Sequence, residues 1–294
     1  MNAPRTRGGH RSRAQNPGQT AAARTRAVLI QIFAITVAAF VVVPILYGVI
    51  GGFKSNQQLS ENPFGLPDPW VPENYTDSLF SGTFWQQLFN STFIALMTAL
   101  ITVFLAALAA YIFARFAFRG REFLFTLFAT GLMFPFAVAI LPLFVILRTF
   151  GLLDNPFGVV LPQAAFGLPL TIIILRQFFR TIPAELEEAA ILDGCTAFGF
   201  FWRVLLPMAR PALATVSVLA IVTSWNNFLL PVVVFNDPGL WTLPVGVRQF
   251  SSEYATDTAR VLAYVTLSLI PALLFYSIAE RQLVSGLASG SVKG

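Results

Sequence analysis

The sequence predicts an all-α membrane protein with six transmembrane helices. Three observations predict it. The chain is 56% hydrophobic and only 11% charged, with a mean hydropathy of +0.70, whereas a soluble domain carries roughly 25% charged residues. Six apolar runs lie near 27–52, 89–114, 123–147, 157–179, 211–235 and 261–280, and none has Asp, Glu, Lys, Arg or His in its central stretch. Each is long enough to cross a bilayer as a helix, which takes about 20 residues. Fifteen of the 19 Lys and Arg fall on one side of the resulting arrangement. Unbroken runs, rather than alternating polar and apolar residues, select helices over barrel strands. The 30 Phe residues suit a lipid-facing surface, and a single Cys excludes an internal disulfide framework.

Residues 1–26 are rich in Arg, Gly, Ala and Gln and have no apolar face. They are expected to form a disordered, basic cytoplasmic tail that anchors the positive-inside orientation. His10 is read there as a solvated bystander. Residues 27–294 form the six-helix transmembrane domain. The first run is about 25 residues, too long for a signal-peptide core, and no small-x-small site closes it, so it is read as an uncleaved first helix.

Between the first two helices, residues 53–87 contain Pro63, Pro67, Pro69 and Pro72. That density predicts fixed turns rather than a folded domain. Residues 236–260, between the fifth and sixth helices, contain Asp237-Pro238-Gly239 and Thr242-Leu243-Pro244. Both connections are plain links or contact rims for a separate extracellular protein. The tail, the Arg115–Arg121 connection, the 181–210 connection and the C-terminus gather the basic residues. Both termini and residues 181–210 are therefore expected in the cytoplasm, with 53–87 and 236–260 outside. The net charge of +5 reads as a topology signal and not as a nucleic-acid patch.

The connection at 181–210 is about 30 residues, against 2–8 for ordinary helix–helix links. Pro183 suits a first helical turn. Glu185, Glu187 and Glu188 follow at the positive end of the helix dipole. Ala189 and Ala190 keep one face flat enough for another backbone to approach. Gly194 permits a left-handed turn that ends the helix, and Thr196 can cap a second helix running toward Leu206. Pro207 and Pro211 then start the fifth membrane helix. The expectation is a compact two-helix knob in water beside the membrane. The bland alternative is an ordinary amphipathic connector.

Energy must reach this protein from elsewhere. Its two lysines, Lys54 and Lys293, belong to no phosphate-binding Gly-x4-Gly-Lys-Ser/Thr loop. No ionisable residue lies mid-membrane to relay protons or ions. A membrane-embedded enzyme would need a nucleophile, a metal cluster or paired carboxylates at the membrane face, and the sequence offers none. A secondary transporter would need internal repeats, which are not visible.

Trp225, Asn226 and Asn227 fall in the fifth helix beside Thr223 and Ser224. Amides there must find partners inside the bundle, because lipid has none. An aromatic face with two amides suits a sugar in a translocation path. It suits interhelical glue equally well. Pro135, Pro142, Pro162, Pro169, Pro231 and Pro271 mark possible breaks or kinks.

From about residue 30 onward the chain resembles a permease subunit of a maltose-type, carbohydrate-uptake ABC importer, of type I architecture. The resemblance runs through Asn74-Tyr75, Asn90-Ser91, Ala110-Tyr111, Gly151-Leu152-Leu153-Asp154, Trp225-Asn226-Asn227, Thr242-Leu243-Pro244, Pro271 and the closing Gly290-Ser291-Val292-Lys293-Gly294. Its most specific part is the spacing Glu188-Ala189-Ala190, three residues, Gly194, nine residues, Val204, one residue, Leu206-Pro207, which matches the family's EAA coupling loop. Cys195, where the family more often has Ala, and Asn227, where an Asp is frequent, depart from the pattern. The resemblance implies ATPase-coupling roles for Glu185, Glu188, Ala189, Ala190, Asp193, Gly194, Leu206 and Pro207. It implies a bacterial plasma-membrane complex with a second permease subunit, two ATPase domains that hold ATP and Mg²⁺, and an extracytoplasmic solute-binding protein. The cargo implied is a sugar or oligosaccharide. A non-sugar solute such as a glycerophosphate or an amino-acid derivative is the alternative.

Overall fold

The computed structural model describes residues 17–252 and 255–291. The basic residues before Pro17 and the closing Val292-Lys293-Gly294 lie outside them. In chain order the helices are α1 (Pro17–Gly51), α2 (Asn56–Glu61), α3 (Glu73–Phe80), α4 (Gly82–Arg115), α5 (Arg121–Thr130), α6 (Phe136–Thr149) and α7 (Phe157–Thr181). There follow α8 (Glu185–Leu192), α9 (Ala197–Phe200), a π turn (Phe201–Leu205), α10 (Leu206–Met208), α11 (Arg210–Trp225), α12 (Leu229–Val234), α13 (Leu243–Gly246) and α14 (Thr258–Ser291).

Four continuous apolar helices, in α1, α4, α7 and α14, are long enough to cross a bilayer. Two bent pairs complete six: α5 with α6, bent by 99°, and Ala197–Met208 with α11, bent by 79°. The third span is therefore not the straight rod its hydropathy suggests. Phe134 precedes Pro135, and a residue before proline is pushed out of the α region. Phe134 adopts φ −83°, ψ 117°. The fifth span breaks again between Trp225 and Leu229. Pro231 lacks an N–H and its ring displaces the carbonyl four residues back, that of Asn227. Pro142, Pro162, Pro169 and Pro271 stay inside continuous helices.

Two further expectations change. Residues 17–26, expected to be disordered, are helical: α1 begins at Pro17, and Ala21-Ala22-Ala23 carry the helix outward from the membrane span. Residues 53–87 hold two short helices as well as turns. Ser55 caps α2 with a full capping box.

α4 is the central helix, packed along α7 on one side and α11 on the other. A Cβ on Gly167 of α7 would sit 3.0 Å from Thr102 of α4, so this small residue sets the close approach. Residues 26–46 of α1 are exposed throughout. The helix meets the bundle mainly through α14, as a helix bathed in lipid would.

At the end of the bundle opposite α8, side chains tie backbones together. Asn74 Nδ2 donates to the carbonyls of Gly52 and Lys54 at 3.0 and 2.9 Å. Asn90 Nδ2 donates to those of Gly239 and Trp241 at 2.9 and 3.0 Å. Ser91 Oγ accepts the Leu243 N–H at 2.8 Å. Asp154, at φ +51°, accepts the backbone N–H groups of Asn236 and Asp237 at 2.6 and 3.0 Å. Four of the residues that carried the family resemblance are thus backbone staples.

Candidate functional site

The knob at 181–210 forms as two helical pieces around a left-handed glycine. Ala184 caps α8: its carbonyl accepts the N–H groups of Glu187 and Glu188 at 2.9 and 3.1 Å. Pro183 therefore stands just before the helix rather than in its first turn. The three Glu residues occupy that first turn. Gly194 has φ +82°. Its N–H donates to the Ile191 carbonyl at 2.9 Å, and the Cys195 N–H donates to the Ala190 carbonyl at 2.8 Å. That pair of bonds is the Schellman helix end. Thr196 Oγ1 accepts the Gly199 N–H at 3.1 Å and starts the second piece. The π turn at Phe201–Leu205 stands directly before α10, whose Pro207 cannot continue the hydrogen-bond ladder.

The predicted coupling residues divide between two faces. Glu185, Glu188, Ala189, Asp193, Gly194 and Pro207 are exposed. Ala190 and Leu206 turn inward onto a core with Phe179, Phe200, Phe201 and Leu205. The outer face also carries apolar groups: Ile191, Leu192 and Phe198 are 55%, 88% and 67% exposed. An apolar patch rimmed by acids is the mark of a docking surface.

Three residues of this end escaped the sequence reading as site residues. Tyr111 Oη lies 3.1 Å from Glu187 Oε1 and 3.1 Å from the Ala197 carbonyl oxygen. Arg115 Nη2 donates to the Ile182 carbonyl at 2.7 Å, and its Nε is 3.7 Å from Glu187 Oε2. Glu187 thus faces the membrane helices while Glu185 and Glu188 face out. Helical spacing sets Glu187 apart from Glu185, since residues two apart do not share a face, but only the contact with Tyr111 shows which face turns inward. Beside it, Arg176 Nη2 is 2.6 Å from Glu122 Oε1, and its guanidinium sits 3.8 Å over the Phe125 ring. These contacts bind α5, α7, α4 and the knob into one unit.

A second site lies mid-bundle. A cavity of about 320 Å³ opens among α4, the α5–α6 bend, α7 and α11. Its polar lining includes Thr98, Thr102, Gln163, Thr223, Ser224 and Asn227. The structure separates the Trp225-Asn226-Asn227 trio. Only Asn227 lines this cavity, and its Oδ1 also accepts the Leu230 N–H at 3.2 Å, supporting α12 across the break. Trp225 and Asn226 border a different, apolar hollow of about 220 Å³ beside α14, with Trp225 packed on Phe275 at 5.3 Å. Asn226 Nδ2 donates back to its own helix, to the Val222 carbonyl at 2.9 Å. Gln163 was missed because it sits alone in an apolar run. Among the described residues no group of three or more His, Cys, Asp or Glu side chains gathers as a metal-ligand set.

Known proteins are similar to this chain in sequence and in fold. The chain is 39% identical over 251 residues to the probable ABC transporter permease protein YurM of Bacillus subtilis, covering 85% of this chain and 83% of the relative. It is 35% identical over 255 residues to the diacetylchitobiose uptake system permease protein NgcG of Streptomyces coelicolor, covering 86% and 84%. It is 35% identical over 260 residues to the trehalose transport system permease protein SugB of Mycobacterium tuberculosis, covering 88% and 94%. The structure superposes on a chain of a bacterial ABC transporter that imports the acidic polysaccharide alginate, with a TM-score of 0.75 at 26% identity, over 91% of this chain and 98% of that one. Residues 103–283 match the family described as the inner membrane component of binding-protein-dependent transport systems, and the chain belongs to that family.

Proposed function

We propose that this chain is one of two permease subunits of an ABC importer that moves a sugar or oligosaccharide into the cytoplasm. A separate pair of ATPase domains binds ATP and Mg²⁺ and docks on the knob at 181–210. An extracytoplasmic solute-binding protein delivers the cargo to the opposite end of the bundle. The observation that carries this reading is the knob itself: an acid-rimmed apolar face, exposed on a surface clamped to α4 through Tyr111 and Arg115. Glu185, Glu188, Ala189, Asp193, Gly194 and Pro207 form its docking side, and Ala190 and Leu206 seat it on the core. The sugar reading is supported by the cargo named for the relatives from Streptomyces coelicolor and Mycobacterium tuberculosis. The knob and both termini lie in the cytoplasm, on the side that holds fifteen of the 19 Lys and Arg. Mid-bundle, Asn227 contributes to the solute path.

The test is reconstitution of this chain with its partner permease, ATPase and binding protein in proteoliposomes. Uptake of a labelled disaccharide, driven by enclosed or added ATP and dependent on the binding protein, is expected. A complex that takes up only amino-acid derivatives or glycerophosphates would overturn the sugar reading. A chain that copurifies with no ATPase would overturn the importer reading.

A further inference from the structure

The loop between α2 and α3 carries an apolar patch. Phe64, Leu66 and Trp70 are 90%, 74% and 57% exposed. Large apolar side chains gathered on a surface mark an interaction site. The loop's shape is fixed from beneath. Lys54 is 1% exposed, and its Nζ donates to the carbonyls of Asn62 at 2.8 Å and Pro63 at 3.1 Å. Asn62 Oδ1 accepts the Gly65 N–H at 3.0 Å. Gln58 Nε2 donates to the Pro69 carbonyl at 3.0 Å, and the Val71 N–H donates to the Phe53 carbonyl at 2.8 Å. Withdrawing a cation from water is costly. Here its hydrogen bonds go to the backbone on which the patch stands.

Position says what covers the patch. Arg26 precedes the first apolar run, and the hydrocarbon core takes about 20 helical residues. Counted from Ala27, the far boundary of that core falls at Leu46 and Tyr47. The exposure of α1 changes at the same point: residues 26–46 are exposed and residues 47–50 half-buried. The Phe64 ring stands 5.9 Å from the Tyr47 ring. Helical side chains lean toward the N-terminus of their helix, which for Tyr47 is into the membrane. The loop therefore folds back to the level at which α1 leaves the hydrocarbon. Trp70 lies 5.3 Å from Phe53, just past the end of α1. Tyr and Trp favour this interfacial zone. The exposed residues of α2, which leads into the loop, are all polar: Asn56, Gln57, Ser60 and Glu61.

We infer that residues 62–70 form a lipid anchor in the leaflet opposite the knob. Phe64 and Leu66 enter its acyl region, and Trp70 lies in the wet headgroup layer above them. The patch continues the lipid-facing surface of α1. It takes these residues out of the surface open to the solute-binding protein. The inference rests on α1 crossing the bilayer and holds whatever the cargo. That this leaflet is the outer one rests on the orientation proposed above.

The assembled complex in lipid nanodiscs tests it, in a Cys195→Ala background with partner subunits lacking cysteine. Phe64→Cys, Leu66→Cys and Gln57→Cys each carry one NBD label. A lipid with a nitroxide near the top of its acyl chain is expected to quench the labels at 64 and 66 and to spare the label at 57. Aqueous iodide should do the reverse. Added solute-binding protein should leave the labels at 64 and 66 unchanged. Iodide quenching at 64 and 66 equal to that at 57 overturns the proposal. Protection of 64 and 66 from both quenchers does so too, because it gives the patch to a partner subunit. Protection that appears only with the solute-binding protein makes the loop that protein's docking surface and overturns it as well. A second measurement leaves Phe64 and Leu66 in place. Lipid bearing a nitroxide on its headgroup should quench less tryptophan fluorescence in the Trp70→Phe complex than in the wild type, and an equal loss in the two overturns the anchor even if the cysteine variants fail to assemble. Nitroxide lipid is present in both leaflets, so an inverted topology would leave these results unchanged.

Discussion

Tyr111 and Glu187 meet at 3.1 Å, and through them the far end of α4 is joined to the first turn of α8. The hydroxyl has one proton and two acceptors in reach, since the Ala197 carbonyl is also at 3.1 Å. It therefore bridges both pieces of the knob. The same α4 carries Thr98 and Thr102 to the cavity and Asn90 and Ser91 to the opposite rim. One helix therefore contacts the knob, the cavity and the opposite rim. Tyr111→Phe removes the bridge and leaves the ring packing. A fall of about three- to fivefold in sugar-stimulated ATP hydrolysis is expected, matching the loss of roughly one hydrogen bond, with complex yield unchanged. Unchanged stimulation would remove Tyr111 from the coupling route.

Gly194 distinguishes backbone strain from steric fit. Its φ is +82°, and an added Cβ would meet nothing within 4 Å. Gly194→Ala is expected to cost only the left-handed penalty of about 1–2 kcal/mol. Gly194→Pro cannot adopt that φ and also loses the N–H that bonds Ile191, so the α8 end is rebuilt. Sugar-stimulated ATP hydrolysis should be mildly reduced in the first and abolished in the second, with membrane insertion intact in both. Glu188→Lys, on the exposed face, should also uncouple transport. Near-normal stimulation in both Gly194→Pro and Glu188→Lys would refute the docking role.

Asp154 is expected to make the rim sensitive to acid. Hydrogen bonds from the Asp237 N–H, then the Asn236 side chain and the Asn236 N–H, hold its carboxyl below the ordinary carboxylate range. A folded pKa below the unfolded one contributes stability that is complete above the unfolded value. That stability is lost as pH falls through the folded value. The melting temperature of the wild-type complex should therefore drop more steeply than that of Asp154→Asn between about pH 4.5 and pH 3. Parallel curves would dismiss the staple as a source of acid sensitivity.

The parting of Trp225, Asn226 and Asn227 makes a comparison within one tripeptide. Asn226 bonds its own helix and borders the apolar hollow. Asn226→Ala should leave uptake within about twofold of wild type, since an exposed bond of this kind contributes little. Asn227→Ala loses both a cavity amide and support for α12, and uptake should fall about tenfold at low sugar concentration. Equal effects of the two would argue that the trio acts as one unit.

Orientation is read by single-cysteine labelling in a Cys195→Ala background. Trp70 is 57% exposed in the 53–87 connection. A cysteine placed there should react with a membrane-impermeant reagent in intact cells, and one at Asp193 only after permeabilisation. The reverse pattern would invert the topology and the docking argument with it.

The spans were legible because a bilayer demands continuous apolarity over a fixed length, a property of the local sequence alone. The knob was legible for a similar reason: Gly194, Thr196 and Pro207 act on their immediate neighbours. Direction was not legible. Hydropathy averages over the α5–α6 bend, and Pro135 breaks a helix while Pro162 and Pro169 do not, because neighbouring helices decide whether the disturbed backbone is accommodated. Glu187 and Glu188 are adjacent and look alike in sequence, yet only Glu187 meets Tyr111, 76 residues away. Gln163 acquires its role only where it meets Thr98 and Ser224, 65 and 61 residues distant. The sequence by itself determined the class of the molecule, its spans and the local geometry of the knob. The tertiary structure decided which face each polar side chain turns to and which of them enclose the cavity, since those partners are joined only by the packing of one helix on another.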